Sequence, residues 1–240
     1  AHTDRMAIDP KGRVHTFCCA VPGAWHVMGV TQGAGLSLKW FRDNFCGAEK
    51  EAAAQMGVDP YVLMDKEAET VPAGANRLLY LPYLMGERTP HLDPDARGVF
   101  FGLSAIHTKK DMLRAVMEGV AYSLNDCLSV FREMGVAIRD MMACGGGGSS
   151  SLWRQMLADL YACEVKTLAS REGPALGAAL LAGVGAGVYA SVPEACDAVI
   201  RTDRVQSPIP ENTAQYAPYY RLYTELYPAL KTAFARLGTL

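Results

Sequence analysis

A run of glycines and serines over residues 145–151 is the segment whose composition best suits ligand chemistry. A β-type apolar stretch enters it, and an amphipathic pattern with Leu152, Met156 and Leu160 leaves it, which indicates a turn from strand to helix rather than a flexible linker. Glycines let backbone approach a ligand closely, and the free N–H groups of a first helical turn favour an anion. A serine within 149–151 can cap this helix or offer a hydroxyl to a nucleotide.

Chemistry alone leaves three interpretations of this run open: a nucleotide or phosphate site, a tight structural turn, and a linker. The run is not a P-loop, because no Gly-Lys-Ser/Thr follows, and it lacks the Gly-x-Gly-x-x-Gly pattern of dinucleotide-binding turns. The residues therefore favour a nucleotide site in an α/β domain without deciding its class.

The elements that must position this run are predicted from hydrophobic periodicity and turn residues. In the first half they are a hairpin over 14–20 and 25–30, helices over 33–45 and 48–56, a buried strand over 77–84 and an ordered loop over 86–98. The first helix is expected to bury a face with Leu36, Trp40 and Phe41, and the second to end at Gly57.

The second half predicts a strand–helix alternation around the glycine run. Its elements are a helix from about 108 to Gly135, a strand over 136–144, a helix over 151–162, a strand over 164–168, a helix over 173–187 and a tyrosine-rich helix over 214–237. Alternation at these lengths predicts a parallel-sheet α/β unit. The tyrosine-rich helix is expected to dock as a closing layer.

Composition limits the class of protein. Half of the 240 residues are hydrophobic, a fifth are charged, and the formal net charge is -2. These values are typical of a soluble globular protein, and no basic block is present to bind nucleic acid or an anionic membrane. No apolar run approaches the roughly 18 residues of a membrane span. We therefore expect a cytoplasmic protein without nucleic-acid or membrane partners.

The cysteines and the first residues narrow the setting further. Seven cysteines, an odd number without a Cys-x-x-Cys motif, predict reduced thiols that lie mostly in the core. The five histidines show no ligand spacing with cysteines or carboxylates, so no metal site is expected. The chain begins with Ala1 and no signal-peptide pattern follows, which favours an internal fragment of a longer protein.

Several segments together resemble the FGGY family of carbohydrate kinases. Residues 145–159, Gly-Gly-Gly-x-x-Ser-x-x-Trp-Arg-Gln-Met-x-Ala-Asp, closely resemble the second signature of that family, and residues 173–179, Gly-Pro-Ala-Leu-Gly-Ala-Ala, are similar to a later family segment. Residues 81–91 and 93–103 are similar to its mid-domain loop, in the form found in the members that phosphorylate D-xylulose. Residues 3–26 fit the same members, so the resemblance covers almost the whole chain.

The resemblance implies an α/β fold of the actin/hexokinase-like (ribonuclease H-like) ATPase class, with residues 1–240 as the C-terminal, nucleotide-binding domain of two. In such kinases the N-terminal domain holds most of the sugar site and a catalytic aspartate in a Gly-Asp-Asn-like segment. No Gly-Asp pair occurs in this sequence, so no catalytic residue is assigned and the fragment alone is expected to be inactive.

The resemblance also implies ligands and partners. ATP and Mg²⁺ are the expected cofactors, and the ATP γ-phosphate would pass to D-xylulose or a related sugar bound mainly by the other domain. Family members often form dimers, so a homodimer is among the expectations.

Site residues follow by matching positions to the family motif. Gly145, Gly146 and Gly147 match the turn that lies against the adenosine and phosphates of ATP. Ser150 matches a position near the adenine, and Ser149 lies beside it in the same run.

Two further sets of residues match less closely. Gly35 and Lys39 correspond to a pair that approaches the ATP phosphates, although an ordinary solvated lysine is the favoured alternative for Lys39. Asp93 and Arg97 are expected to form an ion pair that stabilises the loop. Arg88 and His91 would face the cleft or pack within the loop.

Other functions remain open at this stage. Within the family the alternatives are a ribulokinase, a glycerol kinase or a gluconokinase, because the sugar pocket is mostly absent from this chain. Outside catalysis the alternative is a nucleotide-binding regulatory module. Such a module often carries a helix-turn-helix or a partner-docking segment, and neither is visible in the sequence.

Overall fold

Three small sheets organise the chain in the computed structural model, which describes residues 1–170 and 173–240. The first is antiparallel in the order β1–β3–β2, and the second pairs β4 with β5 in the antiparallel sense. In the third, β6 runs parallel to β7, and β8 adds to β7 in the antiparallel sense. The strands are β1 (His2–Thr3), β2 (His15–Cys18), β3 (Trp25–Met28), β4 (Leu79–Leu81), β5 (Val99–Phe101), β6 (Asp140–Met142), β7 (Glu164–Leu168) and β8 (Thr202–Gln206).

Helices cover these sheets. They are α1 (Ala34–Phe45), α2 (Gly47–Met56), α3 (Pro60–Glu69), α4 (Lys109–Glu133), α5 (Gly145–Ser149), α6 (Ser151–Tyr161), α7 (Pro174–Gly185), α8 (Val192–Val199) and α9 (Pro210–Leu237), with a short 3₁₀ turn at Ala75–Arg77. Among the described helices, none combines the length and the apolar character that a bilayer crossing requires.

Helix α4 lies at the centre of the molecule. It begins with a capping box in which Thr108 and Asp111 satisfy each other's backbone donors, and most of its side chains are buried. Gly119 lies against β4, where a Cβ atom would overlap the carbonyl oxygen of Tyr80. The apolar face of α4 therefore packs directly on a strand, and each large side chain buried there contributes about 1.5–3 kcal/mol.

Helix α9 closes one side of this core, as its tyrosines predict. Tyr216 and Tyr223 are buried. The Tyr223 and Tyr83 hydroxyls are 3.1 Å apart, and Nη2 of Arg114 donates to the Tyr216 hydroxyl at 2.7 Å. Because buried hydroxyls are costly without partners, these bonds define where α9 docks.

Most predicted elements are confirmed, and the differences have physical reasons. The structure contains the predicted hairpin, the end of α2 at left-handed Gly57, the ordered loop, α4 and the parallel pair β6–β7. The predicted buried face of α1 is confirmed for Phe41 and for Trp40, which packs against the core, but it is wrong for Leu36, which is 41% exposed, whereas Leu38 lies in the core. The strand predicted over 136–144 forms only at 140–142. Helices α3 and α8 and strands β1, β5 and β8 were not predicted, because their patterns are short.

The cysteine prediction is correct in part. All seven cysteines lie among the described residues, and none forms a disulfide. Cys46 and Cys127 are buried, but Cys18 and Cys144 are exposed, so the expectation that most of them lie in the core is wrong. The apolar neighbours Met142 and Ala143 do not bury Cys144, because this residue leads into an open turn.

Candidate nucleotide site

The glycine run forms a turn between β6 and α6, as the sequence predicts. Gly145 adopts a φ of 72°, in the left-handed region that favours glycine. The next residues make the single turn of α5, and Ser150 then caps α6 by accepting a hydrogen bond from the Trp153 backbone N–H at 3.0 Å. This geometry excludes a flexible linker.

The glycines of the turn have different surroundings. A Cβ atom added at Gly145 or Gly146 would meet no protein atom within 4 Å. At Gly147 it would lie 3.2 Å from the ring of Trp153, and at Gly148 it would lie 2.8 Å from the backbone oxygen of Ala143. The first two glycines thus present bare backbone to open space, Gly147 packs closely against Trp153, and Gly148 leaves no room for a side chain.

The open space is a cavity of about 450 Å³. One wall is the glycine turn with Ser149, and another is the end of β7 with the residues after it, including Thr167 and Ser170. Asp203 and Arg204 of β8 form the third. The cavity lies outside the carboxyl ends of the parallel strands β6 and β7, where α/β proteins commonly bind ligands, and its size suits a small molecule.

Arg154 of α6 lines the same cavity, although it is only 2% exposed. Its Nη1 donates to the Gly148 carbonyl at 2.6 Å, and its Nε has no partner among the described residues. Burial lowers the pKa of the guanidinium, and repulsion from Arg204 lowers it further. The sequence reasoning missed this residue, although the signal was present: Arg154 is one helical turn after the cap Ser150.

The predicted residues of the run divide into two groups. Gly145, Gly146 and Ser149 line the cavity, whereas Gly147 and Ser150 lie behind the cavity wall. Burial raises the pKa of Asp65, and the Ser150 hydroxyl opposes that rise. The Ser150 hydroxyl oxygen already accepts from the helix that it caps, and contact between Ser150 and a nucleotide stays a prediction.

Gly35 and Lys39 lie elsewhere, in the first half of α1. Neither lines the cavity beside the glycine turn. The Nζ atom of Lys39 lies 2.7 Å from Oδ2 of Asp43, and its side chain is 61% exposed. This chain thus places Lys39 as a solvated lysine with a helical partner, and its contact with phosphate also stays a prediction.

The loop over 86–98 is held by contacts within it and by contacts with α9. The ring of His91 stacks on Tyr227 at 3.6 Å, and burial lowers the pKa of His91 to about 4. Asp93 accepts a hydrogen bond from the Tyr227 hydroxyl at 2.7 Å, and Arg97 donates to the carbonyls of Pro94 and Ala96. The predicted Asp93–Arg97 ion pair is therefore wrong, because each side chain has another partner.

Arg88 of this loop contacts the first sheet. One of its Nη atoms lies 2.8 Å from Nε2 of His15 on β2, so it joins the loop to the first sheet. Packing against Tyr227 explains His91, which is one of the two alternatives that the sequence left open for this residue.

The sequence and the structure both match known proteins. The model of the FGGY family of carbohydrate kinases, C-terminal domain, matches residues 2–186. A xylulose kinase of Bacillus subtilis is 39% identical over 93% of this chain and 43% of its own length, and a gluconokinase of Bacillus licheniformis is 37% identical over 98% and 46%. The crystal structure of a ligand-bound xylulose kinase from Lactobacillus acidophilus matches with a TM-score of 0.86 at 29% identity, over 98% of this chain and 46% of that one. The chain thus spans less than half the length of these relatives.

Proposed function

The chain belongs to the FGGY family of carbohydrate kinases, and we propose that it is the ATP-binding half of a sugar kinase, acting as one domain over residues 1–240. Its α/β fold is the actin/hexokinase-like fold of the C-terminal domain in that family. The observation that carries the proposal is the cavity at the ends of β6 and β7, toward which Gly145 and Gly146 present bare backbone. Backbone without side chains allows a flat base or a phosphate to lie directly against the turn.

The reaction proposed for the whole protein is transfer of the ATP γ-phosphoryl group to a sugar hydroxyl. Such transfers are accelerated mainly by positioning and by neutralisation of charge. Mg²⁺ commonly binds through one or two carboxylates together with substrate phosphates. Among the described residues that line the cavity, Asp203 supplies the one carboxylate. We therefore propose that Mg²⁺ enters with ATP, held chiefly by its phosphates.

The sugar proposed is D-xylulose. Its support is the form of residues 81–91 and the 39% identity to the Bacillus subtilis xylulose kinase. A second candidate is gluconate, because a gluconokinase relative is 37% identical. Because the two identities are 39% and 37%, the experiment below compares both sugars directly.

Nucleotide binding is tested on the 240-residue chain by calorimetric titration with ATP. We expect saturable binding with a Kd between about 1 μM and 1 mM. Bovine serum albumin titrated in parallel controls for non-specific heats. No saturation at millimolar ATP would overturn the assignment of the cavity.

The sugar is tested separately, on the complete natural protein, by coupled ADP release with D-xylulose, D-gluconate and glycerol. We expect D-xylulose to give the highest kcat/KM, and a higher value for gluconate would establish the second candidate. The 240-residue chain alone should give no sugar-dependent ADP release. Turnover by that chain at about 1–100 per second, the ordinary rate of kinases, would show that the catalytic group lies within it.

A further inference from the structure

The buried guanidinium of Arg154 is not explained by the packing around it. The residue is 2% exposed, and no carboxylate among the described residues lies within ion-pair distance of it. Its Nε is also without a hydrogen-bond partner in that part of the chain. An uncompensated buried charge is costly, and proteins normally pair it with an opposite charge.

The surroundings of Arg154 indicate where the compensating charge would lie. The side chain lines the cavity, and its Nη1 holds the Gly148 carbonyl at the base of the glycine turn. Asp65 and Asp203 attract the guanidinium, but they do so from beyond contact, and Arg204 repels it. The described charged groups that line the cavity, Arg154, Arg204 and Asp203, therefore carry a net positive charge, and no carboxylate among the described residues contacts Arg154.

We propose that Arg154 is the positioning residue that gives this cavity its preference for the polyphosphate of a nucleotide over the nucleoside alone. It shapes the turn through Gly148, and its charge is compensated when phosphate enters beside Gly145 and Gly146. This inference rests on the proposed function, since it assumes that a nucleotide occupies the cavity.

The charge of Arg154 and the shape of the glycine turn have separable effects on nucleotide binding. Loss of the positive charge weakens ATP and ADP but leaves adenosine unaffected, because adenosine carries no phosphate. Loss of the turn's shape weakens all three ligands together. The ratio of the adenosine Kd to the ATP Kd therefore measures the effect of the charge on binding, separately from the effect of the turn's shape.

The test compares Arg154→Gln, which is neutral but can still donate to the Gly148 carbonyl, with Arg154→Lys, which keeps the charge. Arg236→Met, on the exposed end of α9, is the control for a change of net charge far from the cavity. Kd values for ATP, ADP and adenosine are measured by calorimetry at about 50 mM and about 300 mM salt, since salt screens charges. Circular dichroism checks folding, and Arg154→Met serves as the neutral variant if the Gln protein does not fold.

We expect the adenosine-to-ATP ratio to fall at least about tenfold, or 1.4 kcal/mol, in the neutral variant. The Lys variant should keep the ratio within about threefold, and Arg236→Met should leave it unchanged. A parallel loss for all three ligands, or an unchanged ratio in the neutral variant, would overturn the inference while leaving the nucleotide site intact. A wild-type chain that binds none of the three would overturn the proposed function as well.

Discussion

The glycine turn over 145–149 and the loop over 86–98 have similar backbone features and opposite surroundings. Each bends at a glycine with positive φ, 72° at Gly145 and 77° at Gly86. A Cβ atom at Gly86 would lie 2.9 Å from Cα and from the carbonyl oxygen of Pro94, whereas at Gly145 it would meet nothing within 4 Å. The same backbone conformation therefore allows tight packing at Gly86 and leaves an open face at Gly145.

The polar groups of the two segments differ in the same way. In the loop, the backbones of Glu87 and Asp93 pair with each other at 2.8 and 2.9 Å, and the Glu87 carboxylate accepts from Thr31 and from the backbone of Gln32. Beside the turn, Arg154 has a buried Nε without a partner in the described chain. A segment whose polar groups are satisfied within the protein is a structural element, and one beside a cavity with an unsatisfied buried polar group is a candidate site.

The largest effect is expected at the packed glycine. Gly86→Ala forces alanine into a left-handed conformation and into backbone atoms of Pro94 that cannot rotate away, so we expect a loss of about 2–5 kcal/mol in the free energy of unfolding. Urea denaturation measures it. The matched control is Gly146→Ala, where no atom lies within 4 Å and stability should be equal or higher. Equal stability of the Gly86→Ala protein and the wild type would remove the distinction between the two segments.

The next effect is on binding rather than stability. Gly146→Val places a branched side chain in the space in front of the turn, so we expect the ATP Kd to rise at least about tenfold, or 1.4 kcal/mol. In the complete protein the sugar Kd should change little, because most of the sugar site is expected in the other domain. Calorimetric titration of ATP, with Gly146→Ala as the smaller step, measures the effect. Wild-type affinity in the Val protein would make the run a purely structural turn.

Gly146 and Gly148 show how much of the site the sequence predicts. Strand, turn and helix around residue 145 follow from local periodicity and turn residues, and so does the α/β fold class, which the family match confirms. Which glycines face the cavity depends on the Ala143 carbonyl and the Trp153 ring. Those atoms arrive only through tertiary packing, so composition cannot distinguish Gly146 from Gly148.

Partners chosen by packing also explain the errors. The opposite charges of Asp93 and Arg97 suggest an ion pair. In the structure, however, the Asp93 carboxylate accepts a hydrogen bond from the hydroxyl of Tyr227, 134 residues later in the chain. The position of Arg154, one helical turn after Ser150, is visible in the sequence, but its burial depends on contacts that its sequence neighbours do not reveal. Contacts between residues far apart in the chain are not visible in local patterns.

A smaller effect is expected at Ser150, which is behind the turn. Ser150→Ala removes the cap of α6, so we expect the free energy of unfolding to fall by about 1 kcal/mol. Because its hydroxyl accepts from the Trp153 N–H and Ser150 is not among the residues that line the cavity, ATP affinity should stay within about twofold. Thermal unfolding and ATP titration of one protein sample give both results. A clear loss of ATP affinity would instead place Ser150 against the nucleotide, as the family motif implies.

The smallest effect is expected at Lys39, outside both segments. Its Nζ pairs with Asp43 one turn along α1, and its side chain is 61% exposed, so the pair is screened by water and contributes little. Lys39→Ala should leave the melting temperature essentially unchanged and ATP affinity within about twofold, both in the 240-residue chain and in the complete protein. Lys50→Ala, an exposed lysine on α2, is the matched control for loss of one positive charge. A fivefold or greater loss of ATP affinity for Lys39→Ala alone, by about 1 kcal/mol, would mean that α1 approaches the phosphates and that the nucleotide extends well beyond the cavity beside the glycine turn.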